Sequence, residues 1–353
     1  MRRAIVLALL CVAATGCAGT LSGGEGDSGS AGKRLDASYV AYTKYVPDNR
    51  YEIWISRIDG SAKRRLAAGR SPRISPDGRW VVYHGGCNSL GECHKLYLIS
   101  SAGGRSRVLA PSGSDPQWSP DSRRVVFANG RGLIRVEVAT GRAADIVRVN
   151  VLRWGLSWRF SPAGDEIAYS VSRPGRCFGS NFDIYVVSVS GGTQRRLTTD
   201  GCSAFPVWGA GGIAFARLIY YRGWGRHEIW RINPDGTGRR TVTGRLPARL
   251  LGQGITGLVP VAWSFDGRRL LAGLQSEFGA VPFAVEPRSG TVRLIGTFDY
   301  DASPEGISRD GRTVLVSYGG FASDDDTRLE IVPYSGGRGR VIARRAGEAS
   351  WNG

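Results

Sequence analysis

The sequence predicts an all-β fold, a single seven-bladed β-propeller of four-stranded antiparallel blades. Two observations predict it. A turn related to Ser-Pro-Asp-Gly recurs along the chain at intervals of 42 to 55 residues, and strand patterns with glycine turns follow each copy. The composition agrees, because 51 glycines and 10 tryptophans favour an all-β repeat over a helical bundle.

Each repeat opens with an apolar or aromatic lead residue, followed by the turn, a basic residue and a β-branched run. Serine caps the turn, proline presets φ, and glycine relaxes the last position. The flanking residues alternate in polarity, so each copy is a hairpin between a first and a second strand. Copies lie at residues 74–83, 118–127, 160–169, 263–272 and 307–316, with a degenerate copy at 208–215 and a truncated one at 351–353.

Third and fourth strands follow each hairpin. Several third strands end in turns such as Asp59-Gly60 or Asp235-Gly236, which are strong hairpin signals. Third strands are predicted at residues 52–55, 95–98, 133–136, 183–186, 228–231, 282–285 and 328–331. Fourth strands are predicted at residues 64–66, 106–109, 144–147, 195–197, 239–242, 292–294 and 340–342.

The two ends of the repeat array complement each other. Residues 39–42 are a second strand without a leading strand, and residues 349–351 are a leading strand without a partner. We therefore expect the C-terminal strand to pair with the N-terminal blade, because closing the ring removes an open sheet edge. A six-bladed ring with an accessory hairpin is the alternative.

The N-terminus has the features of an export signal. Arg2 and Arg3 precede an apolar run, residues 4–14, that is too short to span a membrane. The following Ala-Thr-Gly-Cys17 resembles a lipobox, which implies lipidation of Cys17; ordinary secretion is the alternative. We expect a signal peptide at 1–16, the lipidated cysteine and a flexible Gly/Ser tether at 17–37, and the propeller at 38–353.

Formal charge and export together define the expected partners. The net charge of +17 suits an anionic envelope surface, whereas export argues against nucleic acid. We expect a membrane-anchored lipoprotein on the extracytoplasmic side, at the cell surface or in the periplasm. Its membrane contact is the lipid anchor alone, and it is a monomer or a subunit of an envelope complex.

Several blade motifs resemble a known repeat family. Asp77-Gly78, Glu52-Ile53-Trp54 and the run Arg-Arg-Leu-Thr at residues 195–198 resemble the TolB-like, or PD40 (WD40-like), propeller repeat over residues 38–353. Two departures limit the resemblance, since TolB carries an α/β domain before its propeller and has six blades. Its role with the Pal lipoprotein is therefore not implied here. Nor is the peptidase domain that accompanies related propellers.

The long connections should share one surface, which we call the loop face. It carries the second-to-third strand connections and the crossovers between blades, and long loops on a rigid scaffold often carry function. Cys87, Cys93, Cys177 and Cys202 all fall on this face. Four cysteines allow three pairings, and their placement favours Cys87–Cys93 and Cys177–Cys202.

The stretch 220–227 is the candidate ligand-binding segment. Aromatic residues and arginines separated by glycines suit recognition of a partner or stacking on a sugar. A loop folded onto its own blade is the alternative. The candidate residues are Tyr220, Tyr221, Arg222, Trp224, Arg226 and His227.

The common catalytic motifs are absent from the sequence. The sequence has no GxSxG or HExxH motif and only three histidines, so we expect no enzyme, no metal and no cofactor. The leading hypothesis is a non-catalytic binding or scaffolding module for an envelope protein, peptide or glycan. The alternative is an extracytoplasmic carbohydrate-active enzyme, a lyase or a sugar-oxidising propeller, with its site at the channel mouth.

Overall fold

The computed structural model describes residues 39–47, 50–88, 93–149, 156–177, 180–221, 224–243, 257–275, 279–299, 301–319 and 326–352. The expected signal peptide, Cys17 and the tether lie outside the described residues. Within the described ranges, no helix is long and apolar enough to cross a membrane.

The described residues form 28 β-strands, four for each of seven antiparallel blades. Blade 1 begins with β1 (Tyr39–Val46), β2 (Arg50–Arg57) and β3 (Arg64–Ala68). Blade 2 comprises β4 (Arg70–Ile74), β5 (Trp80–Gly85), β6 (Lys95–Ser100) and β7 (Arg107–Ala110). Blade 3 comprises β8 (Ser114–Trp118), β9 (Arg124–Asn129), β10 (Gly132–Glu137) and β11 (Ala143–Arg148). Blade 4 comprises β12 (Leu156–Phe160), β13 (Glu166–Cys177), β14 (Ser180–Ser188) and β15 (Arg195–Arg196).

The remaining strands continue the same order. Blade 5 comprises β16 (Ser203–Gly209), β17 (Gly212–Tyr221), β18 (Trp224–Ile232) and β19 (Arg240–Thr241). Blade 6 comprises β20 (Gly257–Trp263), β21 (Leu270–Gln275), β22 (Ala280–Glu286) and β23 (Thr291–Leu294). Blade 7 comprises β24 (Ser303–Ile307), β25 (Thr313–Tyr318), β26 (Arg328–Pro333) and β27 (Arg340–Arg344), and β28 (Ala346–Trp351) ends the array.

The last strand closes the ring. β28 pairs antiparallel with β1, so blade 1 has the order β28-β1-β2-β3. The register joins Val40 to Trp351 and Lys44 to Ala346. The expected closure and the seven-bladed fold are confirmed, and the six-bladed alternative is not needed.

Blades 5 and 6 are continuous at one point. β18 and β20 meet at a single parallel bridge between His227 and Gly257. Gly257 has φ +107°, and a Cβ there would lie 2.3 Å from the His227 carbonyl oxygen. A side chain is therefore excluded at this contact.

The repeated turn is held by its serine and its acid. The Ser75 hydroxyl donates to Asp77 over 2.6 Å and accepts the Trp80 N–H over 3.0 Å. The same Ser–Asp bond recurs at Ser264–Asp266, 2.6 Å. The predicted capping by serine is thus present, with the aspartate as its acceptor.

The apolar core lies between neighbouring blades. One cluster joins Ile53 and Ile55 of blade 1 to Val81 and Ile99 of blade 2. Three of the lead tryptophans also form a polar contact across this packing, because the indole N–H of each donates to a main-chain carbonyl oxygen of the preceding blade. These bonds are Trp118 to Arg73, 2.8 Å, Trp263 to Val207, 3.2 Å, and Trp351 to Ile307, 3.2 Å.

Arginines near the outer strands hold several blades to the next blade around the ring. Arg340 of blade 7 donates to the main-chain oxygens of Asp59, 2.7 Å, and Ile58, 3.1 Å, in blade 1. Arg64 and Arg195 make equivalent bonds to the third-to-fourth strand turn of the following blade. Much of the positive charge therefore has a structural role.

Candidate functional site

Both predicted disulfides are present on the loop face. Cys87 pairs with Cys93 in the connection between β5 and β6, and Cys177 at the end of β13 pairs with Cys202 before β16. The second bond joins the blade 4 hairpin to the crossover into blade 5. Two disulfides indicate an oxidising compartment outside the cytoplasm.

The second-to-third strand connection of blade 5, which contains the candidate segment 220–227 and was expected to be a long loop, is a β-hairpin instead. β17 continues to Tyr221 and β18 begins at Trp224, with Tyr220 opposite Gly225. The β-branched and aromatic residues continue the strand pattern, so the hairpin extends and shortens the turn. The hairpin at 172–182 is extended in the same way, because β13 reaches Cys177 and β14 begins at Ser180.

The candidate binding residues are only partly placed. Arg222 and the side chains of Tyr220, Tyr221 and Trp224 lie outside the described part of the structure. Arg226 and His227 are half-buried on β18, and the His227 ring stands edge-on to Phe205 with centroids 6.4 Å apart. A ligand role for this hairpin stays a prediction.

The wall of the central channel is formed by the innermost strand of each blade. The residue directly before the lead position is half-buried in blades 1 to 4. Its two neighbours in sequence pack toward the interfaces between blades. By strand alternation, this position faces the channel. Its occupants are Ser350, Arg73, Gln117 and Arg159 in blades 1, 2, 3 and 4.

Arg159 shows that the wall is both enclosed and open to solvent. Burial lowers the pKa of its guanidinium, although the negative charge of Asp115 acts in the opposite sense. Even so, 37% of the side-chain area is accessible. A charged group that is surrounded by protein yet accessible to water is expected on the wall of a water-filled channel, where a ligand can reach it.

Glu348 of β28 organises the blade 1 side of the channel. Its carboxylate accepts hydrogen bonds from Arg70, from the Thr43 hydroxyl at 2.9 Å and from the Ser71 N–H at 3.0 Å. Burial raises the pKa of Glu348, but the bonds from Arg70 and its partners outweigh burial and lower it. Glu348 thus stays ionised and ties the closing strand to blades 1 and 2.

Glu305 is the second acid of this side. Its Oε1 accepts the Ser317 hydroxyl at 2.7 Å. Burial raises the pKa of Glu305, and the Ser317 bond and the positive charge of Arg73 offset this only in part. Glu305 is therefore harder to ionise than an exposed glutamate, whereas Glu348 is easier to ionise.

A separate ion cluster lies between blades 4 and 5. Asp200 accepts bonds from Arg217 at 2.8 Å, from Ser203 at 2.8 Å and from Arg239. Burial opposes ionisation, but these bonds prevail and lower the pKa of Asp200 to about 2. Both arginines also stack on Trp230, at 4.8 and 5.3 Å from the ring centroid. Every charge here has a protein partner, so the cluster is structural.

Sequence reasoning missed the channel positions. The available signal was the residue before each lead position, which varies among arginine, glutamine, serine and small residues while its neighbours keep the repeat pattern. Among the residues that the structure describes, no group of three His, Cys, Asp or Glu side chains is arranged to hold a metal ion.

Comparisons with known proteins bear on the fold. No family model matches the sequence, and no curated protein matches it. Among solved structures, an oligogalacturonate lyase in complex with manganese is similar, with a TM-score of 0.60, 16% identity, and coverage of 89% of this chain and 86% of that chain. The β-propeller domain of the Trilobed protease from Pyrococcus furiosus is similar with a TM-score of 0.62 and 14% identity, over 87% of this chain and 92% of that chain. TolB from Acinetobacter baumannii is similar with a TM-score of 0.53 and 16% identity, over 89% of this chain and 82% of that chain.

These similarities define the fold class of the chain. The chain has the fold of the TolB-like β-propellers, as the repeat motifs suggested. The Pyrococcus domain is described as having an open velcro topology, whereas here β28 pairs with β1. At these identities the likeness concerns the fold.

The expectation that the protein is not an enzyme is contradicted. An oligogalacturonate lyase shares this fold over most of both chains, so a propeller of this kind is compatible with catalysis. The motifs that are absent from the sequence are those of serine hydrolases and zinc peptidases. A site assembled from separate blades at a channel mouth need not contain either motif.

Proposed function

We propose that the mature protein is an exported propeller lipoprotein that binds an envelope protein, peptide or glycan in its central channel, which the ligand enters from the loop face. The observation that carries this proposal is the channel wall, where Arg73 and Arg159 are enclosed by the blades but remain accessible. Solvated pockets with a few convergent polar groups are the usual sites of ligand binding.

The anchoring half of the proposal concerns Cys17. A diacylglyceryl group on this residue would hold the protein at a membrane, and the tether would raise the propeller above it. Metabolic labelling with an alkyne fatty acid tests this. Wild-type protein should be labelled and sediment with membranes, and the Cys17→Ala variant should do neither. Equal labelling of both proteins would contradict lipidation.

The binding half is tested by comparing channel variants in affinity capture from detergent-solubilised envelope. Wild type and the control Arg268→Gln, on the opposite face, should retain the same specific partner or glycan. The double variant Arg73→Gln/Arg159→Gln should lose it while remaining folded. Recovery that is equal for all three proteins, or no specific recovery by wild type, would contradict binding in the channel.

A lyase acting on an acidic glycan is the second candidate. Glu305, whose pKa is raised by burial, lies near the positive charge of Arg73, and this pairing suits proton transfer beside an anionic sugar. The structural likeness to an oligogalacturonate lyase supports testing that substrate first. Ultraviolet absorbance of unsaturated product should appear with wild type and vanish with Glu305→Gln. No product with wild type would exclude this candidate for that substrate.

A further inference from the structure

Three successive blades place hydrogen-bond donors at one level of the channel. Arg73, Gln117 and Arg159 occupy the same strand position, directly before the lead residue of β4, β8 and β12. All three side chains are half-buried. Because the strands are neighbours around the ring, Arg73 and Arg159 come from the two blades on either side of the blade that carries Gln117.

The backbone that carries these donors is fixed. The indole of Trp118 donates to the Arg73 carbonyl oxygen over 2.8 Å, which joins blades 2 and 3. The Gln117 amide donates to the Trp158 carbonyl oxygen over 3.2 Å, which joins blades 3 and 4. Such an arrangement loses little conformational entropy when a ligand binds.

The two guanidinium groups retain donor capacity. In the described part of the structure, Arg73 bonds only through Nη1, at 3.5 Å to the Pro72 and 3.4 Å to the Ala349 carbonyl oxygens. Arg159 donates through Nη1 to the Trp158 oxygen over 2.7 Å. The nearest acid to Arg159 is Asp115 at 3.7 Å, too far for a hydrogen bond.

We infer that Arg73 and Arg159 together receive the terminal carboxylate of a peptide that enters the channel from the loop face. Arginine presents a planar fork of donors that matches a carboxylate, and two such forks at one level bind one such group well. The positive charge of Arg73 acts on Arg159, so one shared anion relieves the repulsion between them. This inference deepens the proposed binding function and rests on it.

The surrounding charges favour a single carboxylate over a polyuronate. Asp115, Glu305 and Glu348 occupy the same channel wall, so a glycan with an acid on every ring would meet repulsion beyond the two arginines. A peptide carries one terminal carboxylate followed by main-chain N–H groups. These N–H groups can donate hydrogen bonds to the neighbouring carboxylates.

The apolar part of the wall suits a peptide side chain. In blade 6 the position of Arg73 is taken by Ala262, which is half-buried, whereas its counterpart in blade 5, Val207, is buried in the core between blades 5 and 6. A small apolar C-terminal residue can therefore lie against this side. We choose leucine as the probe residue.

The test measures binding to the full mature protein by calorimetry. The probe is acetyl-Ala-Ala-Ala-Leu with a free carboxylate, compared with its C-terminal amide and with tetragalacturonate. We expect saturable binding of the acid and at least tenfold weaker binding of the amide. Arg73→Gln and Arg159→Gln should each weaken binding of the peptide acid about tenfold or more, since each substitution removes a charged donor.

Two further variants separate recognition from damage to the fold. Asp115→Asn should tighten binding of the acid several-fold, because it removes the carboxylate that competes for Arg159. Asparagine tolerates the positive φ of 46° at this position. Arg268→Gln, an exposed arginine on the opposite face, should leave affinity unchanged, and all variants should unfold near the wild-type temperature.

The outcomes distinguish this inference from the proposed function. Equal affinity for acid and amide overturns carboxylate recognition but leaves a channel-binding protein, whereas peptide binding that is unaffected by both arginine variants overturns the inference and places the peptide elsewhere. Binding of tetragalacturonate in place of the peptide overturns the peptide inference in favour of an acidic glycan. Absence of saturable peptide binding up to about 10 mM also overturns it. Envelope capture that depends on the channel would still support the broader function.

Discussion

The main-chain N–H of Tyr39 donates to Oδ1 of Asn352 over 2.7 Å, although 313 residues separate the two in sequence. The Asn352 N–H returns a bond to the Tyr39 oxygen at 3.2 Å. These reciprocal bonds continue the seam between β1 and β28 beyond the last strand residue. Because the seam joins both ends of the described chain, a change there should affect the stability of the entire ring.

The Glu348 network tests this dependence. Glu348→Gln removes the counter-charge of Arg70 and should lower the free energy of unfolding at pH 7 by about 2 kcal/mol, less than for a fully buried pair. The lowered pKa of Glu348 means that its contribution is present above the pKa of the unfolded chain. It is lost as pH falls through the folded value. Denaturant unfolding at pH 7 and pH 3 should therefore show a difference that closes in acid.

The matched control for Glu348 is another arginine-bound glutamate in the same blade. Glu52 pairs with Arg65, whose side chain is 51% exposed. Glu52→Gln should cost about 0.5 kcal/mol or less. An equal loss of unfolding free energy in both variants would show that the ion pair at the seam contributes no more than an exposed pair.

The hydrogen bonds from Arg340 of blade 7 to the main chain of blade 1 should contribute measurably to stability. Arg340→Ala removes two bonds to the main chain of the first blade and should lower the free energy of unfolding by about 1 kcal/mol. Arg344→Ala, on the same strand and equally exposed, is the control and should have little effect. The idea that these arginines hold adjacent blades together fails if the two variants are indistinguishable in thermal unfolding.

The two disulfides should differ in their effect. Cys177 and Cys202 are 25 residues apart, whereas Cys87 and Cys93 are 6 apart. Chain-entropy reasoning assigns about 3.5 kcal/mol to the longer loop and about 2 kcal/mol to the shorter. Calorimetric unfolding of the double serine variants measures both. A larger loss for the short loop would contradict the expected order.

Asp200 should make stability depend on acid pH. Because its folded pKa of about 2 lies below the ordinary aspartate value of 3.8, ionised Asp200 stabilises the folded state above the unfolded pKa. This contribution, about 2 kcal/mol, should disappear as pH falls from about 4 to about 2. Asp200→Asn should remove the dependence. Asp145→Asn, which breaks an exposed pair with Arg148, should leave the pH profile unchanged.

The repeat pattern was sufficient to predict the blades, the ring closure and the cysteine pairs, because all three follow from the spacing of one motif. It was insufficient for the hairpin at 220–227, where strand length depends on the partner strand across the turn. The channel donors were also missed. Alternation shows that Arg73 and Arg159 face one way, but only the assembled ring shows that the two face the same channel.

Hydrogen exchange across the seam tests the central claim most directly. In a closed seven-bladed ring, amides of β28 that pair with β1 should be protected in the intact protein as strongly as those in the centre of blade 1. Exchange measured by mass spectrometry on the peptide covering residues 346–352 should therefore match that of residues 50–57. Rapid exchange of the C-terminal peptide, while β2 stays protected, would show that the ring is open.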